Sequence, residues 1–442
     1  MSSSRHLNRP AASGASSSKR PAALVACSST RWRRKVADVA CAVTGDSSSW
    51  ASLHEDLVSL IGGQVLAGDL RDYIRFRAVC PHWRSSTTCP RGRGIVDTRF
   101  HPRRWMLFPE GHGLHPGHGK LGGYVRFVNI STGAFVRVRL PLFRDHCVLD
   151  SVDGILLLQR DQDTAIRLLH PFTGDIVEFP PLETLLPYVN PLFRVKKWYY
   201  LRNIRAACIS VGSGGVVKVM MSYPQWRVSS WWRDMCSVPL PFQGKLFMLQ
   251  RPEVGGEPQV LQVDPPQQED MDLGLPPPKL IAKCPATTDS ASVFLYDLVE
   301  CNSEILVAVS KCYRLNWQYS FYRLAYLMLE RTVPLTSING STLFFSKRRS
   351  LYVSSEAFPT IVADTIVVFD RTKDHLAHYH LTSGTSSAAS DRCTTGIANL
   401  SPCSIIDHIF TCCFRDYWNK GLVFNHGRLK LWRVKRKWRD GA

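Results

Sequence analysis

The spacing of apolar side chains divides the chain into two kinds of segment. Between Trp50 and Thr88, leucines and isoleucines recur every three to four residues, which is the period of a helix that buries one face. Beyond about Gly94 the pattern changes to short alternating runs separated by glycine, proline and aspartate, which is typical of strands and tight turns. The sequence therefore predicts a short helical segment followed by a long β-rich region.

Three short helices are predicted between Trp50 and Thr88. Ser52 and Glu55 form a capping-box pattern that would start the first helix. Asp69 is expected to cap the second helix, and Pro81 is expected to cut a third short element. Helices this short cannot bury all their apolar side chains among themselves. We therefore expect another surface to cover the remainder.

The β-rich region repeats a unit of two strands joined by a Thr-Gly turn. Residues 124–140 form one copy with its turn at 131–133, and residues 166–182 form another with its turn at 173–174. Further paired-strand units start near Asp153-Gly154, Ala206, Gly244, Ser303 and Asn339. From residue 154 to residue 339 the mean spacing is about 46, close to the ~40–50 residues of a four-stranded propeller blade. The proline- and acid-rich stretch 252–279 is predicted to be an exposed loop.

The helical segment resembles an F-box. Its order is Trp-x-x-Leu-x-x-Asp-Leu, then Ile, then Val-Leu, then Tyr-x-x-Phe, then Val-Cys-x-x-Trp-Arg. An F-box docks on a Skp-type adaptor, which joins a cullin–RING ubiquitin ligase. The resemblance implies that the family's core and adaptor-facing positions fall, without distinction between the two classes, on Leu53, Leu57, Ile61, Leu66, Tyr73, Phe76, Val79 and Trp83.

Two features depart from the F-box pattern. His54 stands where that family usually has proline, and Gly62 and Gly63 lie inside the first helix. Each glycine costs roughly 1 kcal/mol relative to alanine, so both features are expected to weaken this helix. Two alternatives therefore stay open. The chain could be a non-catalytic interaction protein with a degenerate F-box, or the helices could be a cap that packs on the following domain.

The β-rich region resembles the C-terminal domain of a large plant family of F-box proteins, a KIB-type, kelch-like β-propeller. The matching stretches are Tyr124-Val-Arg-Phe-Val-Asn-Ile with Ser-Thr-Gly-Ala-Phe, Leu149-Asp-Ser-Val-Asp-Gly-Ile-Leu-Leu-Leu, Leu169-His-Pro-Phe-Thr-Gly-Asp, and Arg348-Arg-Ser-Leu-Tyr-Val-Ser-Ser-Glu-Ala-Phe-Pro359. The expected fold is an α+β multidomain chain. It has a disordered basic tail (1–49), a three-helix F-box (50–88) and a mainly-β kelch-like propeller (95–440).

Charge and cysteine usage narrow the function classes. The chain has 55 basic and 36 acidic residues, and seven of the basic ones lie within residues 428–439. The positive charge is the only feature that supports nucleic-acid binding, so we do not expect a nucleic-acid partner. Basic tails of this kind are equally explained as nuclear-import signals or as solvated chain ends. The 14 cysteines form no C-x-x-C pair, which indicates reduced thiols of a nuclear or cytoplasmic protein. Residues 1–37 lack acids and would also suit an organelle transit peptide. No apolar run reaches the ~20 residues of a membrane span, so no membrane partner is expected.

Candidate chemistry in the sequence is sparse. His112, His115 and His118 lack further ligands nearby, so we expect no metal. His378 and His380 alternate on a predicted strand, which a half-exposed strand face explains. No Gly-x-Ser-x-Gly, H-E-x-x-H or kinase signature occurs, and no cofactor or catalytic residue is predicted. A hydrolase or lyase hidden in the propeller channel stays a third alternative.

An aromatic–basic cluster is the candidate substrate patch. It consists of Trp226, Arg227, Trp231 and Arg233, and tryptophan and arginine dominate binding hot spots. Some of these rings could equally belong to the core. Taken together, the sequence favours the substrate-recognition subunit of a Skp–cullin–F-box ubiquitin ligase. Such a subunit has no catalytic residues, binds a Skp-type adaptor and through it a cullin, and recruits an unknown protein substrate through the propeller.

Overall fold

The computed structural model describes most of the chain between residues 50 and 419. The described residues are 50–108, 123–160, 163–185, 204–222, 238–250, 256–266, 276–286, 292–313, 316–346, 349–370, 375–389, 404–414 and 418–419. Several predictions fall outside these ranges and stay predictions. They concern the tail 1–49, the histidines at 112, 115 and 118, the basic run 428–439, and the aromatic–basic cluster of Trp226, Arg227, Trp231 and Arg233.

The described strands form six sheets that follow one another along the chain. The first sheet contains β1 (Trp105–Leu107), β2 (Tyr124–Asn129) and β3 (Phe135–Arg139). The second contains β4 (His146–Val152), β5 (Ile155–Arg160), β6 (Ile166–Leu169) and β7 (Ile176–Phe179). The third is the pair β8 (Ala206–Val211) and β9 (Val217–Ser222). In all three, neighbouring strands are antiparallel and consecutive in the chain.

The remaining sheets have three to five strands. The fourth contains β10 (Leu240–Phe242), β11 (Lys245–Gln250), β12 (Gln259–Val263) and β13 (Lys279–Lys283). The fifth contains β14 (Val293–Cys301), β15 (Glu304–Tyr313) and β16 (Asn316–Arg323). The sixth contains β17 (Ser341–Phe344), β18 (Leu351–Ser354), β19 (Thr365–Asp370), β20 (His375–His380) and β21 (Ser386–Ala388). Only this sheet is mixed among the described strands, because β17 and β19 pair in parallel.

In the second sheet, burial falls from the first strand to the last. In the second sheet every residue of β4 and all but the last of β5 are buried, which is the pattern of strands covered on both faces. The outer strand β7 alternates between exposed and half-buried residues, as a strand with one solvated face does.

Tight turns with positive φ explain the repeat seen in the sequence. Residues 153–154, 243–244 and 302–303 join the first two strands of three different sheets, and both central residues of each turn have positive φ. This conformation belongs to the type I′ turn, whose twist matches that of paired strands. The predicted unit starts at residues 154, 244 and 303 fall on these turns. Residues 339–340 form a similar turn before β17, whereas Ala206 is the first residue of β8.

Apolar clusters fill the space between successive sheets. Separate clusters join the second sheet to the third, the third to the fourth, the fourth to the fifth and the fifth to the sixth. The largest cluster brings the sixth sheet back to the first two, with Val128, Leu156 and Val353 in contact with the same core. Sheets packed face to face in a closed succession form a β-propeller. The prediction of a mainly-β propeller is confirmed.

Five α-helices occur among the described residues. They are α1 (Glu55–Gly68), α2 (Leu70–Arg77), α3 (Pro81–Ser85), α4 (Leu324–Leu327) and α5 (Ile405–Cys412). The first three stand where helices were predicted; that they form an F-box remains a prediction. Asp69 caps α2 as expected, since its Oδ1 accepts a hydrogen bond from the Arg71 amide at 2.8 Å.

Two details of helix capping were predicted wrongly. The cap of α1 is His54, whose Nδ1 accepts from the Asp56 amide at 3.4 Å, and no capping box forms at Ser52. Pro81 begins α3 rather than cutting an element, and the Cys80 sulfur accepts from the Trp83 amide. Proline suits the first helical position because its missing N–H has no partner there in any case.

Two strands were also missed in the sequence. β1 lies before the first predicted repeat copy (124–140), and its three residues are too few to show an alternation. β12 lies inside the stretch 252–279 that was predicted to be an exposed loop. Val260 of this strand is fully buried.

The described cysteines are all free, and six of them are buried: Cys147, Cys208, Cys284, Cys301, Cys412 and Cys413. Burial raises the pKa of the Cys208 thiol and of the Cys301 thiol to about 12. Within the described ranges, no helix has the length and apolarity to cross a membrane.

Candidate functional site

Five large apolar side chains lie exposed on α1, on α2 and in the link between α2 and α3. Leu57, Leu60 and Ile61 of α1 are 49%, 63% and 38% exposed, and their spacing of three and four residues places them on one side of the helix. Ile74 of α2 is 40% exposed, and Val79, between α2 and α3, is 62% exposed. These five side chains are called the exposed apolar set. Single exposed apolar residues are common on surfaces, but five on about 30 residues are typical of a binding surface.

The structure separates the eight F-box positions into three classes by burial. Leu57, Ile61 and Val79 are exposed, and Tyr73 is buried. The other four are half-buried: Leu53, Leu66, Phe76 and Trp83. Phe76 stacks on Trp83 with 4.4 Å between ring centroids, which ties α2 to α3.

Two members of the exposed apolar set were missed in the sequence. Leu60 and Ile74 are not among the eight F-box positions, although both fit the helical spacing of apolar side chains. Leu60 follows Leu57 by three residues and therefore lies on the same side of α1. The F-box pattern does not include this position.

The opposite side of the helices packs on the propeller. Leu70 and Tyr73 of α2 are 4% and 3% exposed, and they share a small core with Phe100 and with Phe172 of the second sheet. The Tyr73 hydroxyl donates to the carbonyl of Thr88 at 2.8 Å, so the polar end of this buried ring is satisfied. The helices therefore have one covered side and one exposed side.

Asp69 joins the helices to the first sheet. While its Oδ1 caps α2, its Oδ2 accepts hydrogen bonds from the Trp105 indole N–H at 2.8 Å and from the Asn129 side-chain amide at 2.7 Å. Arg104 adds a bond to the carbonyl of Gly68 at 2.8 Å. Bonds to an ionised carboxylate are the stronger kind, so one side chain fixes both the start of α2 and its position on β1 and β2.

His170 holds the linker between the helices and the first strand. Its Nε2 donates to the carbonyl of Phe100 at 3.0 Å, and its Nδ1 accepts from the amides of Phe172 and Thr173. Burial lowers the pKa of His170 to about 4, so the ring is neutral at pH 7 and can serve as donor and acceptor together.

Asp175 holds the same linker closer to the helices. Its carboxylate accepts from the amides of Gly92 at 2.9 Å and Gly94 at 2.7 Å. A Cβ at position 94 would lie 2.6 Å from the Thr173 hydroxyl, so only glycine fits there. The stretch from Leu169 to Asp175, noted in the sequence as a strand and turn, thus also anchors the helical segment.

Gly62 allows α1 to pack closely. It is buried, and a Cβ there would lie 2.9 Å from Thr87 Cγ2 and 3.3 Å from the Phe76 ring. At Gly63, in contrast, a Cβ would meet nothing within 4 Å. The two glycines do not break the helix, which runs from Glu55 to Gly68. The close contacts at Gly62 explain why a glycine stands at that position.

A polar cleft of about 540 Å³ lies beside the N-terminus of α1. Its walls include Glu55, Asp56, Arg91 and Arg93 and a run of serines and threonines. Several of these hydroxyls are already used: the Ser85 and Ser86 hydroxyls both donate to the carbonyl of His82. The cleft is open and mostly polar, unlike the apolar pockets that hold organic ligands.

The two strand histidines have structural partners. His378 of β20 is buried, its Nδ1 lies 3.0 Å from the Thr365 hydroxyl, and burial lowers its pKa to about 4. His380 lies 3.0 Å from the Ser387 hydroxyl. Residues 212–215 lie in the turn between β8 and β9. No three His, Cys, Asp or Glu side chains in the described part of the chain could together hold a metal ion.

A model of the KIB1-4 beta-propeller family matches residues 127–380. This is more than half of the 442 residues and runs from β2 to the end of β20. The chain belongs to the KIB1-4 beta-propeller family. The matched residues include the anchors His170 and Asp175 but none of the three helices, so the family assignment concerns the propeller. A search of curated proteins found no match.

Proposed function

We propose that this KIB1-4 propeller protein is the substrate-recognition subunit of a Skp–cullin–F-box ubiquitin ligase. Its three helices bind a Skp-type adaptor, and its propeller recruits a protein substrate. The observation that carries the proposal is the exposed apolar set on helices whose other side is anchored to the propeller. An F-box needs both features: a surface for the adaptor and a firm connection to the recruiting domain.

The energetics suit a stable interface. Fully burying a leucine or isoleucine side chain contributes about 1.5–3 kcal/mol, and the five members of the exposed apolar set are 38% to 63% exposed. Their burial against an adaptor would therefore contribute several kcal/mol. The subunit needs no catalytic residue, because holding a substrate near the charged enzyme raises its effective concentration.

A second candidate is a non-catalytic interaction protein with a degenerate F-box. His54, at the position where F-box proteins usually have proline, favours it. In that case the propeller would bind its partners without any ligase. The two candidates differ in adaptor capture alone, so one binding experiment separates them.

The test is capture of a purified Skp-type adaptor by the full chain and by Leu60→Asp. We expect the aspartate to weaken capture at least tenfold, since it places a charge in the apolar interface. Leu329→Asp is the matched control, because Leu329 is 64% exposed in the propeller and Leu60 is 63% exposed on α1. Equal capture by wild type and Leu60→Asp would refute the interface. No capture by folded wild type would favour the second candidate.

A further inference from the structure

Apolar side chains are concentrated at one place on the propeller surface, around α4. Beyond residue 94, eleven large apolar side chains are exposed in the described part of the chain. Four of these eleven lie within eight consecutive residues and are between 39% and 64% exposed. They are called the α4 patch: Tyr326, Met328, Leu329 and Val333. Single exposed apolar residues are normal on a protein surface, whereas a contiguous group marks an interaction site.

The loop that carries the α4 patch is ordered by its own backbone hydrogen bonds. At its base, the Leu335 amide donates to the carbonyl of Phe321 at 2.7 Å. Farther out, the Arg331 amide donates to the carbonyl of Tyr326 at 2.9 Å. Glu330 has a positive φ of 58°, a conformation that is uncommon for a residue other than glycine and that reverses the chain. The side chains of the patch are therefore presented on a defined turn.

Two buried leucines orient this turn. Leu324 and Leu327 lie in the core between the fourth and fifth sheets. Tyr326 and Leu329 follow Leu324 by two and five positions, which places both on the opposite side of the helical turn. The Leu329 amide continues the turn by donating to the carbonyl of Tyr326 at 2.9 Å, and the Arg323 guanidinium lies 5.6 Å from the centre of the Tyr326 ring. The exposed side chains cannot fold back onto the propeller without exposing the buried leucines.

The size of the α4 patch fits the apolar centre of a dimer interface. Four large side chains, each about half exposed, present roughly 300–400 Å² of surface. A standard interface covers about 800 Å² on each partner, and about 65% of a homodimer interface is apolar. The patch therefore supplies more than half of the apolar area that such an interface needs, and the exposed Ala325 and Pro334 lie beside it.

The charges at the edge of the patch make it complementary to itself. Glu330 and Arg331 follow Leu329 directly, both are exposed, and no ion pair among the described residues uses either side chain. In a two-fold symmetric contact, residue i of one copy meets residue j of the other, and j meets i. An acid and a base side by side can therefore pair twice across the same interface, around an apolar centre.

We propose that two copies of this chain associate through the α4 patch about a two-fold axis, with Glu330 of each copy paired with Arg331 of the other. The fifth sheet, which carries α4, is not a neighbour of the first and second sheets in the succession of six. The three N-terminal helices are anchored on those two sheets. A dimer formed at α4 therefore leaves the exposed apolar set of both copies accessible, and it does not rest on the proposed function.

The test is sedimentation equilibrium of the full chain, without adaptor, over a concentration series that spans the micromolar range. We expect the mass of wild type to rise from that of one chain to twice that value. Leu329→Asp should weaken this association at least about tenfold, because it places a charge in the apolar contact. The wild-type series needs no variant to fold, and a wild type that stays monomeric throughout would overturn the proposal.

Val293→Asp is the matched control, because Val293 is 61% exposed and Leu329 is 64% exposed. Val293 begins β14 and pairs with Cys312, whereas α4 follows Arg323 at the other end of the fifth sheet. This variant should associate as wild type does. Equal association of wild type and Leu329→Asp, or an equal loss in Val293→Asp, would overturn the proposal.

Exchange of charges tests the two-fold pairing. Glu330→Arg and Arg331→Glu should each weaken self-association, because each places like charges opposite one another in the symmetric contact. An equal mixture of the two variants should restore the dimer, since each arginine then faces a glutamate of the other chain. A mixture that associates no better than the separate variants would overturn the proposal. No adaptor takes part, so these results are independent of the capture experiment on the helices.

Discussion

Helices α1 and α5 are both rich in apolar residues, yet α5 is almost entirely buried and α1 is mostly exposed. In α5 every residue from Ile406 to Cys412 is buried, including Asp407 and His408. In α1, nearly twice as long, only Val58 and Gly62 are buried. The helix α5 lies in the largest core cluster, between the first, second and sixth sheets, whereas the exposed apolar set has no cover in the described part of the chain.

The difference shows that apolar content does not by itself decide burial. A helix is covered when sheets of its own chain surround it, and otherwise its apolar side stays available for another chain. Polar groups reinforce this contrast. Ser404 and Asp407 satisfy each other in a capping box at the buried end of α5, while α1 begins at the exposed His54.

The largest expected effect is on the stability of the two helices after truncation. Ile409→Ala, at a side chain that is 1% exposed, should lower the free energy of unfolding by about 3 kcal/mol, because it leaves a cavity in the core. Leu57→Ala should change it by less than about 0.5 kcal/mol, as most surface substitutions do. Urea unfolding of both variants measures this. Similar losses would mean that the exposed side of α1 is covered within the chain.

A smaller effect on stability is expected from low pH, which protonates His170 at the anchor between the helices and the propeller. A histidine with a folded pKa of about 4 takes up its proton mainly in the unfolded chain. The stability it supports is therefore present above the unfolded pKa of about 6.5 and is lost as pH falls toward 4, by at most about 3 kcal/mol.

His170→Asn isolates this contribution. The asparagine keeps an acceptor for the turn but loses the bond to Phe100 and the titration. Thermal unfolding should show the variant less stable than wild type at pH 7, with the difference narrowing or reversing at pH 4. A difference that does not depend on pH would contradict the assignment of a neutral, buried ring.

The smallest effect concerns the two adjacent glycines of α1. Gly63→Ala should stabilise the protein by up to about 1 kcal/mol, because alanine favours a helix and its Cβ meets nothing. Gly62→Ala should lose this gain or destabilise, since its Cβ would crowd Thr87 and Phe76. Hydrogen exchange of the α1 amides reports both. Equal slowing of exchange in the two variants would show that this side of α1 does not pack as closely as the structure indicates.

Helix caps and tight turns, which depend on neighbouring residues, were mostly predicted well from the sequence. Asp69 was identified as a cap because an aspartate before a helix accepts its free amides, and this needs only neighbouring residues. The turns at 154, 244 and 303 were placed correctly for the same reason. The capping box at Ser52 was wrong although its pattern was present, because His54 took the position instead.

Contacts between residues far apart in the chain could not be predicted from the sequence. Nothing local shows that Asp69 also binds Trp105 and Asn129, or that His170 reaches back to Phe100. The exposed apolar set could be listed as candidates only, because Leu57 and Tyr73 look alike in a helical pattern. The structure exposes the first and buries the second.

The periodic pattern follows from the sequence: a helical stretch, then repeated strands and turns whose positions follow from backbone preferences of single residues. Which apolar side chains face outward, and which charges meet, depends instead on how the elements pack together. Those properties depend on closing the sheets into a ring, which brings Ser151 and Arg349 together from positions 198 residues apart and leaves one side of α1 without a neighbour. Burial and electrostatics are sums over neighbours in space, and a linear pattern does not contain them.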